Sequence, residues 1–219
     1  MAVNGRSSDR PILGLVPRSR VKALSTVLII AGISLTLFPL FWIVYTSLHI
    51  GPAQASALAV WERNAAEGST PGLSAQSGPA ATRALVLSIP RLRLTRYVPE
   101  GASVPQLRRY GVGRISWTAL PDRPGVVGIA GHRTTYGAPF FRLAKLERGD
   151  HIVITYAGKQ FDYTVTERRV IRPAEVEVLQ AIPGEHTVAL VTCAPLYSAK
   201  NRLVVLGKLR AVWSLPPTP

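Results

Sequence analysis

A single cysteine, Cys193, stands in a chain of 219 residues. An intrachain disulfide is thereby excluded, so any folded domain is held by its core and the thiol stays free to react. Acidic residues are scarce as well: 12 Asp and Glu stand against 26 Lys and Arg, a formal net charge of +14. They are also dispersed, with only Glu175 and Glu177 close together. None of His49, His132, His151 or His186 sits with Cys, Asp or Glu at metal-ligand spacing. No metal and no cofactor are expected. The positive charge does not read as a nucleic-acid surface either, because no basic stripe interleaved with aromatics and no nucleic-acid motif occurs. Anionic lipid headgroups and acidic wall polymers are the partners such a surface would meet outside a cell.

What the chain does have is one long uncharged run. Ala23 to Leu48 carries no charge over 26 residues, more than the roughly 20 helical residues that cross a hydrocarbon core. A transmembrane helix is expected over 23–48, with Pro39 tolerated inside it and Trp42 and Tyr45 suited to an interface. Arg6, Arg10, Arg18, Arg20 and Lys22 precede the run against one acid, Asp9. Basic flanks stay inside, so residues 1–22 read as a cytoplasmic arm and the rest as extracellular: a single-pass protein of the cell membrane. The rival reading is a cleaved leader, for which Ala53-Gln54-Ala55 would serve as a small-residue site. The apolar run exceeds the about 7 to 15 residues of a leader's apolar region.

Beyond the membrane, Ala53 to Glu67 is rich in helix formers, and Gly68 to Thr82 is rich in Gly, Ser and Pro, as a spacer would be. Residues 49–82 are therefore expected to link the span to a domain at 83–213, with a tail at 214–219. Within the domain, short apolar runs alternate with turn residues. Strands are expected over Ala84–Pro90, Arg91–Leu94, Val126–Ala130, His151–Tyr156, Phe161–Thr166, Thr187–Cys193 and Arg202–Leu206, with Val170–Arg172 as a further extended run. Val104–Tyr110, Pro139–Leu146 and Ala174–Leu179 read as short helices, and Tyr97 to Gly101 as a turn. Seven or eight strands with few helices argue a small closed β-barrel.

The chemistry gathers on three residues. Reading Thr187–Cys193 and Arg202–Leu206 as neighbouring antiparallel strands puts Cys193 at the end of one and Arg202 at the start of the next. A fixed cation there favours thiolate and can stabilise an oxyanion formed when sulfur attacks a carbonyl. His132, just past the apolar strand Gly128-Ile129-Ala130-Gly131, supplies a group that titrates near neutrality. Each residue alone has a plainer reading, as a buried small hydrophobe, a surface ring and a surface charge.

Gly131-His132-Arg133, Leu146-Glu147-Arg148-Gly149-Asp150, Leu190-Val191-Thr192-Cys193 and Arg202-Leu203-Val204-Val205 occur in an order that resembles the signature of sortases, the membrane-bound cysteine transpeptidases of Gram-positive bacteria. The resemblance covers about Ala84 to Val212. It implies an eight-stranded sortase β-barrel with the site at one end, and it makes His132, Cys193 and Arg202 the catalytic histidine, cysteine and arginine. Thr134, Thr135 and Tyr136 become candidate substrate contacts, and Thr192 a residue that orients the site. The run His132 to Phe140 is most similar to class E, with class D next. An Asp-Pro-aromatic lid, common in class C, is missing: Asp122 is followed by Arg123 before Pro124.

The implied reaction is acyl transfer through a thioester, from surface proteins bearing a Leu-Ala-x-Thr-Gly or Leu-Pro-x-Thr-Gly signal to an amine of a peptidoglycan precursor. Two rivals differ. L,D-transpeptidases carry a Ser-His-Gly-Cys run, whereas here the histidine lies 61 residues before the cysteine. A membrane-tethered β-barrel binding module would hold Cys193 as an inert structural residue, which a small alkylating reagent would fail to reach.

Overall fold

The computed structural model describes residues 18–66, 83–180 and 184–215. The first part of the basic arm, the whole Gly/Ser/Pro spacer and the last residues of the tail lie outside them. The chain divides into two compact units, Met1–Trp42 and Ile43–Pro219. In the first, the uncharged run as far as Trp42 is helical and its side chains are exposed. It belongs to α1 (Arg18–Ala66), the one helix among the described residues long and apolar enough to cross a membrane. The helix does not stop at Leu48. Ala53, Ala55, Ala57 and Ala59 carry it on to Ala66, so much of the expected linker is helical.

The second unit is built on one sheet of eight strands: β1 (Leu85–Ile89), β2 (Leu94–Val98), β3 (Val112–Arg114), β4 (Gly125–Gly131), β5 (His151–Tyr156), β6 (Lys159–Ile171), β7 (His186–Ala194) and β8 (Asn201–Ser214). Their order is β2-β1-β5-β6-β8-β7-β4-β3. The sheet curls into a nearly closed barrel whose seam lies between β2 and β3. There Glu100 bridges Arg114, and the two side chains form a buried bidentate ion pair with both N···O distances 2.6 Å. Arg114 also donates to the carbonyls of Ser116, Thr118 and Ala119, which anchors the loop before β4. One helix, α2 (Val104–Tyr110), spans the seam and ends at Gly111 in a left-handed cap.

Several local expectations shift. Pro90 fixes the first position of a 3-10 turn (Pro90–Leu92), and Arg93 follows at φ 50°. The alternating Arg91–Leu94 run is therefore half turn, and β2 starts at Leu94 and runs through Tyr97, where a turn is expected. Leu92 and Leu94 are still both buried. Phe161–Thr166 and Val170–Arg172 merge into the single β6, which bends at register shifts at Asp162/Tyr163 and Val165/Glu167. The turns at Leu143–Lys145 and Val176–Leu179 are 3-10 turns where short helices are expected.

Strand alternation sorts side chains into two cores. Val127, Ile129, Val188, Leu190, Leu203 and Val205 fill the barrel interior, while Val126, Ala189 and Val204 pack outside against Leu179. The strand period of two then fixes the catalytic candidates. Cys193 shares the parity of Ala189 on β7, Arg202 that of Val204 on β8, and His132 that of Val126 beyond β4. All three belong to the outer face.

Candidate active site

Cys193 and Arg202 are direct partners in the β7–β8 register. Residues so opposed on one face of an antiparallel pair hold their Cβ atoms about 4.5–5.5 Å apart. β4 runs parallel to β7, with Ala130 opposite Val191. Continuing that pairing by two residues brings His132 abreast of Cys193. One parallel and one antiparallel ladder thus bring the three candidates to one sheet end.

The end of β4 is tied down on every side. Thr192, 2 % exposed, donates from Oγ1 to the carbonyl of Gly131 at 2.7 Å. Gly131 itself lies against the ring of Phe140: a Cβ there would come within 2.6 Å of Cδ2. A side chain at 131 would therefore drive Phe140, wholly buried, out of the core. The His132 backbone donates to the Gly111 carbonyl at 2.9 Å and accepts from the Phe140 N–H at 3.0 Å. Gly111 sits equally close to the next loop, since a Cβ on it would meet the Tyr136 carbonyl oxygen at 2.9 Å.

The His132 ring is held from two sides. Thr135 Oγ1 lies 3.4 Å from Nδ1, and the Tyr136 ring packs on the imidazole at a tilt of 37° with centroids 4.8 Å apart. Tyr136, Gly137 and Ala138 follow one another at φ 51°, 72° and 42°, a left-handed run that turns the loop back over the histidine. Nε2 is buried and has no partner among the described residues, which leaves it to act on a bound group. Burial, and then the cation of Arg108, hold the imidazole below its ordinary range. At neutral pH most molecules therefore carry a neutral ring at this position.

Cys193 is half-buried and free. Its carbonyl accepts a hydrogen bond from Arg133 Nη1 at 3.0 Å, while Arg133 Nε is buried and has no partner among the described residues. Arg202 donates from Nη1 to the carbonyls of Ala199 and Asn201, at 2.8 and 3.0 Å, which folds the β7–β8 connection under the guanidinium. That connection exposes Leu196 and Tyr197.

Of the substrate-contact candidates, Thr135 and Tyr136 touch His132, and Thr134 is half-buried on the same loop. Thr192 spends its hydroxyl inside the fold, as an orienting residue does. Two participants carry no obvious sequence signal. Arg133 sits within the Gly131-His132-Arg133 motif but reaches Cys193 only through the fold. Arg108 is distant in sequence from either catalytic strand. Among the described residues no group of three His, Cys, Asp or Glu side chains could hold a metal.

Comparison with known proteins bears on the same segment. Residues 87–210 match the Sortase domain. The chain is 30 % identical to sortase SrtE2 of Streptomyces coelicolor over 94 % of its length and 87 % of the relative's. It is also 30 % identical to sortase SrtE1 of that organism, over 86 % of this chain, but spans only 56 % of SrtE1. Among solved structures, sortase E1 from S. coelicolor with a tripeptide in the active site superposes with a TM-score of 0.57 and 33 % identity, covering 62 % of this chain and 94 % of that one. A sortase D5 transpeptidase from Clostridium perfringens gives 0.60 at 25 % identity, with 75 % and 100 % covered. The chain belongs to the sortase family of cysteine transpeptidases, and its likeness is to class E.

Proposed function

We propose that this enzyme is anchored by α1 with its catalytic barrel outside the cell, cleaves a C-terminal sorting signal between Thr and Gly, and passes the protein to a cell-wall amine. The basic residues before the apolar run favour a cytoplasmic amino terminus.

Neutral His132 takes the thiol proton of Cys193 at Nε2, the thiolate so formed attacks the threonine carbonyl carbon, and Arg202, whose Nε and Nη2 have no partner among the described residues, stabilises the oxyanion. As the C–N bond to glycine breaks, His132 gives the proton from Nε2 to the leaving amine. A thioester to Cys193 remains. The incoming amine attacks it, His132 takes that amine's proton, and the thiolate leaves. The observation that supports this reading most is the unpartnered, buried Nε2 of His132 on the face shared by Cys193 and Arg202.

Substrate choice follows from the loop over His132. The class E likeness favours a Leu-Ala-x-Thr-Gly signal over Leu-Pro-x-Thr-Gly, with Tyr136 as the residue that takes the alanine N–H. A peptidoglycan precursor supplies the amine. Mass spectrometry of the enzyme mixed with a sorting peptide tests the core of this: a covalent adduct is expected for the wild type and none for Cys193→Ala. An adduct surviving in the alanine variant would remove Cys193 from its role.

A further inference from the structure

The part of α1 that lies within the second unit presents one face to the barrel. Thr46, Ile50 and Gln54, four residues apart and so stacked on one helix face, are 4, 5 and 5 % exposed. Gln54 makes three bonds with its amide. Nε2 donates to the Tyr97 carbonyl at 3.0 Å and the Tyr110 carbonyl at 2.6 Å, and Oε1 accepts from the Tyr97 N–H at 2.9 Å. Tyr97 lies on β2, an edge strand, so the amide takes for one residue the place a ninth strand would have. It staples that edge across the seam to the end of α2.

Two residues of this helix face back points that lead to His132. Tyr110 immediately precedes Gly111, whose carbonyl accepts the His132 N–H at 2.9 Å. One turn earlier on the helix, Ile50 lies against Gly137: a Cβ on that glycine would sit 3.4 Å from Ile50 Cγ2. Gly137 adjoins Tyr136, whose ring packs against the imidazole. Two of the supports of the histidine outside its own strand, the Gly111 corner and the Tyr136 loop, each have one helix residue behind them.

We infer that Gln54 and Ile50 are positioning residues of the active site, so that the segment following the apolar run is a working part of the catalytic domain. The inference rests on the role given to His132 above. It also gives Ala53-Gln54-Ala55 a use other than processing, because cleavage after Ala55 would remove both contacts.

The test uses the full chain in detergent micelles with a sorting-signal peptide. Wild type and His132→Ala come first; an inactive wild type, or a His132→Ala variant as active as wild type, would sink the functional reading and this inference with it. Given a His132-dependent enzyme, Gln54→Glu keeps the shape but sets a carboxylate oxygen against two carbonyls, and Ile50→Ala empties the contact at Gly137. We expect kcat to fall about tenfold in the first and several-fold in the second, with KM within about twofold. Ile50→Val should behave as wild type, and thermal melting should show both impaired variants folded at the assay temperature. Unchanged kcat in Gln54→Glu and Ile50→Ala would overturn the inference. So would activity that falls only in proportion to the unfolded fraction, since the contacts would then serve stability alone.

Discussion

Arg133 donates from Nη1 to the carbonyl of Cys193 at 3.0 Å, across 60 residues of sequence. The residue after the proposed acid thus holds the backbone of the proposed nucleophile, and the spacing between them does not depend on the sheet ladder alone. Lysine keeps the charge but loses the fork that reaches the carbonyl. A hydrogen bond from a charged group contributes about 1.5–3 kcal/mol, so Arg133→Lys should lower kcat by about tenfold. Peptide cleavage followed beside thermal melting checks this, and an unchanged kcat would leave the bond a structural one.

Arg202 is assigned to the oxyanion, which exists only on the reaction path. Arg202→Lys should therefore lower kcat more than it raises KM. Steady-state kinetics on a sorting peptide decide it. A wild-type kcat would return Arg202 to the role of organising the β7–β8 connection through Ala199 and Asn201.

In the proposed reaction Cys193 and His132 share one proton between them. Activity should then rise with pH as the resting enzyme's imidazole loses its proton. Because burial first and Arg108 second depress His132, the acid limb of kcat/KM should lie below the about 6.5 of a free imidazole. Arg108→Gln removes the second cause and leaves the first. The limb should move to higher pH in that variant, yet stay below the free value. A limb that does not move would show that Arg108 is too well screened to act on the ring.

Tyr136 should govern the choice between signal peptides. Proline lacks the N–H that alanine offers, so a site that bonds this group loses it with proline. We expect a higher kcat/KM for the alanine peptide, and Tyr136→Phe to narrow the gap while its ring still packs against His132. A wild-type enzyme that cleaves the proline peptide faster would refute the assignment.

The sequence carried the ladder that matters most. A lone cysteine at the end of one β-rich run and an arginine at the start of the next are a contact between neighbouring strands, and such contacts follow from periodicity and order. The strands His151–Tyr156 and Phe161–Thr166 were legible for the same reason, and Ala157 and Gly158, which join them as a hairpin, both take positive φ. What was not legible depends on distant contacts. Val112–Arg114 is too short to show a period, and it is a strand only because β4 pairs with it. Arg133, Arg108 and Gln54 look like ordinary polar residues in the sequence. Their partners lie 60, 24 and 43 or more positions away, and nothing local announces a bond that the barrel's curvature creates.

The parallel pairing of β4 with β7 has a consequence for biogenesis. Every other ladder among the named strands is antiparallel, while β4 must wait for a partner that begins at His186. A chain emerging amino terminus first can close its β1–β2 and β3–β4 hairpins early, but the far edge of β4 stays bare while the next 50 or so residues appear. An unpaired edge invites pairing with other chains, and contacts so distant in sequence form slowly. Over the same interval the thiol and the imidazole cannot meet, so an incomplete chain has no acyl-transfer chemistry to misdirect. A substitution that only delays this pairing would therefore reduce how much enzyme accumulates while leaving the turnover of each finished molecule untouched.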